Sequence, residues 1–286
     1  ISREHMLEMK AIRDEYDPHG GRAIGSREML DIREAEYGGE MLYINKSARH
    51  PMWAMEYSRD EGLRKYWDEY SYPYHKEGAG PLYRGKDASD YNHNQDILAV
   101  ENIRRWFDYW QERPGTGTRI SSGGVKIIFS DTNTHFRGEE NYRRSGVTDA
   151  MRIPKDAFYT HQVMWDGWVD IEQPRIHIIG HWNYKEDVIK PVYVVSGADK
   201  VELFLNGKSL GEGEREYHFL YTFKDVQFET GKLEAIGYDE TGKECCRTEL
   251  QTAGKPEEIR LTCVQSPDGW KADGADMVLL QVEVMH

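Results

Sequence analysis

The hydrophobic pattern of this chain changes near Pro174, and this change constrains the fold more than any other feature. Before Pro174, helical periodicity alternates with short apolar stretches, as in "QDILAVENIRRWFDYWQERPG" and then "GGVKIIFSDTN". The first of these predicts a helix whose apolar face carries Ile97, Val100, Ile103, Phe107 and Trp110. Alternating helices and strands favour parallel strands with crossover helices, so residues 1–172 are expected to form an α/β part, with about four strands of an incomplete sheet or barrel.

After Pro174 the chain reads as short alternating strands, with turn signals roughly every 8 to 12 residues. "LNGKSL" is an Asn-Gly hairpin and "DETGK" is a second turn. The pattern predicts an all-β part, with a small antiparallel β-sandwich over 173–254 and the start of another over 255–286. Because the chain opens inside a predicted helix and closes inside the alternating pattern "LLQVEVMH", we expect it to be an internal piece of a longer protein.

The charge and cysteine content exclude several classes of partner and cofactor. The 50 acidic residues outnumber the 37 basic ones, which argues against binding to nucleic acid or to an anionic membrane. No apolar run approaches the roughly 18 residues that a membrane-spanning helix needs. Cys245, Cys246 and Cys263 suggest no disulfide framework, and no Cys or His pairs have zinc-like spacing. We therefore expect no metal and no cofactor, and the role of Cys245 and Cys246 stays open.

The aromatic content points toward a sugar ligand. The chain has 8 Trp and 18 Tyr, whose side chains combine a flat apolar face with a hydrogen-bonding edge. Sugars have the same divided character, with C–H faces and hydroxyl rims. Ordinary core packing accounts for part of these aromatic residues, so the content indicates a glycan-binding surface without locating it.

The stretch "HPMWAMEYSRDEG", residues 50–62, contains the best candidate for a catalytic residue. A proline leads into an apolar strand that ends on Glu56. The active site of an α/β barrel lies at the carboxyl ends of its strands. A carboxylate there is unfavourable unless it is used or paired. We therefore assign Glu56 a catalytic role, with a salt bridge to Arg59 or Arg64 as the alternative.

Polar residues also follow two other predicted strands, "AIGS" and "KIIF". These residues are Arg27, Glu28, Ser130, Asp131, Asn133 and His135. Taken singly, each is more often a loop residue than a ligand-binding one. As a set at one rim, they fit a site for a polyhydroxylated ligand.

The stretch around Glu56 resembles the strand-7 motif of glycoside hydrolase family 2, the family of β-galactosidases, β-glucuronidases and β-mannosidases. "RDEYDPHGGRAIGS" is similar to the segment before strand 5 of that family, and "GGVKIIFSDTN" to its strand 8. "MRIPKDAFYTHQVMW" resembles the Pro-Lys helix that ends the barrel. "VELFLNGKSLG" resembles the immunoglobulin-like domain that follows in many large bacterial members. The resemblance covers the chain almost end to end.

The resemblance implies that residues 1–172 are the C-terminal half of a (β/α)8 TIM barrel. It also implies a retaining mechanism, in which one carboxylate forms a covalent glycosyl-enzyme and a second, about 5 Å away, acts as acid and base. Glu56 matches the nucleophile. The acid/base Glu of the family would lie upstream of Ile1, so this piece is expected to be inactive alone.

The chain departs from the family pattern in two places. Strand 6 carries a tyrosine that contacts the nucleophile, and here Tyr37 and Tyr43 are both candidates. The tripeptide Glu36-Tyr37-Gly38 mimics the nucleophile motif, but it lacks the proline-led apolar strand, so Glu36 ranks below Glu56. Strand 8 often ends on a tryptophan, where this chain has Phe129 or Ser130. The expected substrate-contacting residues are Arg27, Tyr37, Tyr43, Trp53, Asp131 and His135.

We thus expect part of a retaining exo-β-glycosidase that acts on oligosaccharides or polysaccharides, with β-galactosides as the first choice. A β-glucuronidase is the alternative and would need basic residues to hold a carboxylate, for which Arg27, Arg59 and Arg137 are candidates. A non-catalytic glycan-binding protein is the alternative from another class. Export to the periplasm or cell surface is expected by analogy alone. The sugar, the linkage and the oligomeric state stay open.

Overall fold

The computed structural model describes residues 2–26, 34, 36–40, 52–57, 68, 70–71, 95–111, 121–126, 128–132 and 145–286. The chain divides into two compact units, Ile1–Leu250 and Gln251–His286. Within the described ranges, no helix has the length and apolar character needed to cross a bilayer.

The first part of the larger unit contains a four-stranded parallel sheet. Its strands occur in chain order as β1 (Gly25–Ser26), β2 (Tyr37–Glu40), β3 (Met52–Tyr57) and β4 (Ser121–Lys126). The helices described in this part are α1 (Arg3–Tyr16), α2 (Gln95–Gln111) and α3 (Asp156–Val169). The expected parallel strands are present, and α2 lies between β3 and β4 in the chain. The stretches between β1 and β2 and between β2 and β3 lie mostly outside the described residues, so the full alternation of helices and strands stays a prediction.

Local sequence determines where helix α1 begins and ends. The Ser2 hydroxyl accepts a hydrogen bond from the His5 N–H at 3.3 Å, which satisfies one of the free donors of the first turn. The helix ends at Tyr16, and Gly20 and Gly21 then adopt φ of 62° and 81°. These positive φ angles are readily available to glycine and turn the chain toward β1.

Two four-stranded antiparallel sheets follow. Their strands are β5 (Ile176–Ile178), β6 (Ile189–Ser196), β7 (Lys200–Leu205), β8 (Lys208–Glu212), β9 (Glu214–Glu216), β10 (Leu220–Gln227), β11 (Lys232–Tyr238) and β12 (Glu244–Gln251). The strand orders are β5-β6-β10-β9 and β12-β11-β7-β8. Asn206 and Gly207 form the tight turn between β7 and β8, with φ of 51° and 79°, as the Asn-Gly dipeptide predicts.

The sheet β5-β6-β10-β9 is covered on both faces. Alternate residues of β6, Val192 and Val194, belong to a core shared with Leu203 of the other sheet. Val195 of β6 belongs instead to a second core, which includes Ile103 of α2 and residues of α3. Period-2 alternation in β6 therefore packs one face against the other antiparallel sheet and the opposite face against the helices.

The second unit is a hairpin of strands β13 (Glu258–Val264) and β14 (Leu279–Met285). Its apolar side chains are largely exposed, for example Ile259 at 69% and Val284 at 65%. The expected start of a further sandwich at 255–286 stays a prediction, as does the division of residues 1–254 into two domains at 172.

Candidate active site

The carboxyl ends of the four parallel strands lie at one edge of their sheet. Strands that run in the same direction bring their final residues together, and in barrel enzymes this edge carries the chemistry. Glu56 is the penultimate residue of β3, so its backbone lies at this edge. The expected apolar strand that leads to Glu56 is present and continues one residue farther, to Tyr57. The catalytic role of Glu56 stays a prediction.

The pairing of β3 with β4 is irregular around Glu56. Met52 pairs with Ser121, Ala54 with Gly124, and Tyr57 with Lys126. The register therefore shifts twice, and the second shift lies between Ala54 and Tyr57, the segment that contains Glu56. Such irregularities redirect side chains and are frequent at barrel rims and beside active sites.

The other predicted site residues are distributed unevenly over the described structure. Arg27, Tyr43 and His135 lie outside the described residues. Trp53 lies in β3 and pairs with Gly39 of β2. Because Gly38 pairs with Met52, Tyr37 lies one residue before this pair and Glu56 lies four residues after it, which separates them by roughly 16 Å along the sheet.

Asp131 is held in an ion pair near the end of β4. The Lys155 ammonium lies 2.9 Å from one Asp131 carboxylate oxygen and 3.2 Å from the other. The Gly146 N–H also donates to Asp131 at 2.9 Å. Burial raises the pKa of Asp131 despite the opposing effect of Lys155. Asp131 thus joins the end of β4 to the segment that leads into α3, and its expected contact with substrate stays a prediction.

Gly146 lies tightly against the same backbone. A Cβ atom at Gly146 would approach the Asp131 nitrogen to 2.4 Å and the Thr148 oxygen to 2.6 Å. The Thr148 hydroxyl also donates to Ser130 Oγ at 3.0 Å. These contacts fix the position of the chain that follows β4, a position that only glycine allows at residue 146.

Glu36, the residue that mimics the nucleophile motif, lies at the opposite edge of the sheet. It immediately precedes β2 and accepts two hydrogen bonds from Arg13 Nη1, at 2.7 and 2.9 Å. The Ile24 N–H donates to it at 2.8 Å, and Lys10 Nζ lies 3.1 Å away. The hydrogen bonds from Arg13, Ile24 and Lys10 lower the pKa of Glu36 to about 2. Glu36 is thus a structural carboxylate that joins α1 to the start of β2.

The structure also contains a buried charged cluster that sequence reasoning did not find, and two of its residues follow β3 in the chain. We use the name Asp68 cluster for Asp68, Ser71, His181, Tyr184 and Lys190. Lys190 Nζ lies 3.0 Å from Asp68 Oδ2, and the Tyr184 hydroxyl donates to the same oxygen. Asp68 Oδ1 accepts from the Tyr70 N–H at 2.9 Å and from the Ser71 hydroxyl at 2.8 Å.

The titration states of the Asp68 cluster follow from its contacts. Burial by itself would raise the pKa of Asp68, but Lys190, Tyr184 and Ser71 together hold it below its ordinary value. His181 Nδ1 accepts from the Asn183 N–H at 3.1 Å, so its Nε2 carries the proton and donates to Ser71 Oγ at 2.5 Å. Burial lowers the pKa of His181, which agrees with a neutral ring.

Two further carboxylates face the Asp68 cluster from the first turns of α2 and α3. Burial raises the pKa of Asp96 to about 7, with Lys190 opposing the shift and Asp68 adding to it. Asp156 lies 2.8 Å from His177 Nε2 and accepts from the Gly180 N–H at 3.1 Å. In the part of the chain that the structure describes, no group of three or more His, Cys, Asp or Glu residues is arranged to hold a metal ion.

The fold of this chain matches that of a solved glycoside hydrolase of family 2. A solved β-glucuronidase of that family superposes on 99% of this chain and 29% of its own, with a TM-score of 0.74 and 29% identity. This chain is therefore a homologue of part of the family 2 glycoside hydrolases, and the resemblance inferred from sequence is confirmed.

Particular relatives are similar to different shares of the chain. A β-glucuronidase of Formosa agariphila is 32% identical over 298 residues, covering 99% of this chain and 28% of the relative. The β-galactosidase BoGH2A of Bacteroides ovatus is 37% identical over 142 residues, covering 49% of this chain and 16% of the relative. The chain thus spans less than a third of either relative. Residues 187–246 match a domain of unknown function, DUF4982.

Proposed function

We propose that this chain is part of a retaining exo-β-glycosidase in which Glu56 is the nucleophile. The observation that carries the proposal is the position of Glu56, in the bulged penultimate position of β3, within a homologue of family 2. The parallel sheet then forms the C-terminal half of a TIM barrel over residues 1–172. The antiparallel sheets form an immunoglobulin-like domain over 173–254, and β13 with β14 starts a further sandwich.

The substrate we propose is a β-glucuronide. The relative that matches nearly the whole chain is named a β-glucuronidase, and so is the solved structure with a TM-score of 0.74. The relative named a β-galactosidase matches half of the chain. The names therefore favour the glucuronide over the β-galactoside that the sequence alone put first. Arg27, Arg59 and Arg137 stay the candidates for holding the sugar carboxylate.

In the proposed reaction, a Glu56 carboxylate oxygen attacks the anomeric carbon and forms a glycosyl ester. The bond from that carbon to the leaving oxygen breaks, and a second carboxylic acid protonates this oxygen. The same group then removes a proton from water, which attacks the anomeric carbon and releases Glu56. We place that acid/base before residue 1 in the longer protein, so the chain alone would be inactive.

The strand register bears on the tyrosine that would contact the nucleophile. Tyr37 lies at the amino-terminal end of β2, far along the sheet from Glu56. Tyr43 comes three residues after Glu40, the last residue of β2, in the sequence. We therefore favour Tyr43 for this role.

Covalent labelling of the longer protein tests the proposal. A 2-fluorinated β-glucuronide with a good leaving group should label the peptide that contains Glu56, as detected by digestion and mass spectrometry. The matched 2-fluorinated β-galactoside should label it more slowly. Faster labelling by the galactoside would support a β-galactoside as the substrate, which is the substrate that the sequence alone favoured. Labelling at another carboxylate would remove Glu56 from the mechanism, and binding without any label would favour the non-catalytic glycan-binding alternative.

A further inference from the structure

Two residues that follow the candidate nucleophile in sequence, Asp68 and Ser71, are anchored in the antiparallel part of the molecule. Asp68 and Ser71 lie after β3 and before α2. They are held by His181 and Tyr184, from the connection between β5 and β6, and by Lys190 of β6. Residues more than a hundred positions apart in sequence thus meet in one buried cluster.

The two carboxylate oxygens of Asp68 have different roles. Its Oδ1 accepts from Tyr70 and Ser71 and so shapes the local turn. Its Oδ2 accepts from Tyr184 and Lys190 and so fixes that turn to the antiparallel sheet. Four donors on two oxygens leave Asp68 a single orientation. Tyr184 is fixed in turn, because its ring stacks on His181 at 4.5 Å and Lys190 Nζ lies 3.0 Å from its hydroxyl.

Stability alone does not explain this arrangement. Asp68 is 3% exposed and Lys190 is 4% exposed, so both charges have lost most of their hydration. A buried ion pair is often no more stable than a well-packed apolar pair of the same size, whereas its geometry can specify one arrangement among several. The Asp68 cluster is therefore suited to fixing a position more than to strengthening the fold.

We propose that Lys190, Tyr184 and Asp68 are positioning residues for the glycosidase active site, because Lys190 and Tyr184 of the antiparallel part fix Asp68, which follows Glu56 by twelve residues in the sequence. This inference rests on the proposed function. Glu56 and Asp68 are twelve residues apart in the sequence, and sites at strand ends depend on the support of the connections that follow them. Lys190 lies in the stretch matched by DUF4982, which thereby has a task in catalysis.

The test uses the longer protein with four variants. Lys190→Met removes the ammonium and leaves Asp68 buried without its main partner. The double variant Asp68→Leu with Lys190→Met replaces the ion pair by an apolar pair and keeps the cluster free of unpaired charge. Tyr184→Phe removes one donor. The control is Lys224→Met on β10, because Lys224 forms an exposed ion pair with Glu214, outside the Asp68 cluster.

Two readouts separate positioning from folding. Hydrogen exchange at the peptide containing residues 68–71 should become faster in the double variant while the remaining peptides keep their protection. The kcat for an aryl β-glucuronide should fall by about tenfold to a hundredfold, since small displacements at an active site have effects of that size. Tyr184→Phe should lower kcat less than the double variant, and Lys224→Met should change neither readout.

Two results would overturn the inference. One is a folded double variant with kcat equal to that of the wild type. The other is unchanged exchange at residues 68–71. An inactive wild-type protein would contradict the proposed function instead, and the exchange experiment would still decide whether the cluster anchors this segment.

Discussion

The chain contains two Glu-Tyr pairs at adjacent strands, and the structure gives them different surroundings. Glu36-Tyr37 lies where β2 begins, whereas Glu56-Tyr57 lies where β3 ends. Because β2 and β3 are parallel, these are opposite edges of one sheet. The comparison shows that the direction of the strand, and not the dipeptide, decides which glutamate lies on the side where such sheets bind ligands.

The surroundings of Glu36 also make it a poor nucleophile. Arg13, Lys10 and the Ile24 N–H occupy its oxygens, and its pKa of about 2 shows how strongly they stabilise the charged form. An attacking carboxylate has to give up such stabilisation as it forms a bond. Glu36 therefore supports the junction of α1 with β2, which is a role that Glu56 is not expected to share.

The largest expected effect comes from exchanging each glutamate for glutamine in the longer protein. Glu56→Gln should lower kcat by at least about 10³-fold, because the attacking group is removed. Glu36→Gln should change kcat by less than about twofold. Steady-state hydrolysis of an aryl β-glucuronide measures both. Equal losses in the two variants would show that strand direction does not distinguish the two glutamates.

A smaller effect is expected in the pH dependence of stability. The pKa of Glu36 is lowered on folding from 4.5 to about 2, so its stabilising contribution is present above about pH 4.5 and is lost as the pH falls toward 2. Glu36→Gln should remove this loss. Because Glu36 is partly exposed, the difference between the two proteins should be about 1 kcal/mol across that window. Urea unfolding at a series of pH values measures it, and parallel curves would contradict the assignment.

The smallest expected effect is a difference in stability between variants of Arg13 and of Lys10, the two cationic residues that contact Glu36. Arg13 donates two hydrogen bonds to Glu36 and one to the Arg22 carbonyl, whereas Lys10 makes one ion pair with Glu36 and donates to the Glu34 carbonyl at 3.3 Å. Arg13→Met should therefore lower the urea midpoint more than Lys10→Met, with kcat unchanged in both. A larger shift for Lys10→Met would show that the Arg13 contacts contribute little to the junction.

Local signals predicted those features that depend on neighbouring residues alone. The Ser2 cap, the Asn206-Gly207 turn and the strand before Glu56 each follow from a few adjacent side chains, and each is present. The change from parallel to antiparallel strands near Pro174 was equally visible, because it alters the period of the apolar residues.

Features that depend on packing were predicted less well. The periodicity of α2 put Ile97, Val100 and Phe107 on the apolar face, but these residues are only partly buried. The fully buried side instead carries Leu98, Ala99 and Asn102, together with Ile103. Residues of α2 pack in one core with residues of α3, β6 and β10. The positions of these neighbouring elements therefore decide which side of α2 is buried, and the spacing of apolar residues alone selects a different side.

The Asp68 cluster lay beyond the reach of sequence reasoning for a related cause. Asp68 and Lys190 are 122 positions apart, and nothing local to either residue indicates the other. A lysine between Ile189 and Val192, inside an apolar strand, was the one available signal. A buried lysine requires a buried partner, but the sequence does not say which acid provides it.

The exposed hairpin of the second unit has a practical consequence for recombinant work. Within the Gln251–His286 unit, β13 and β14 pair only with each other, so each has an outer row of backbone donors and acceptors as well as exposed leucine and valine side chains. Such a ribbon can recruit another strand from any source. Recombinant protein that stops at Leu250 should therefore stay monodisperse at concentrations where protein that stops at His286 self-associates.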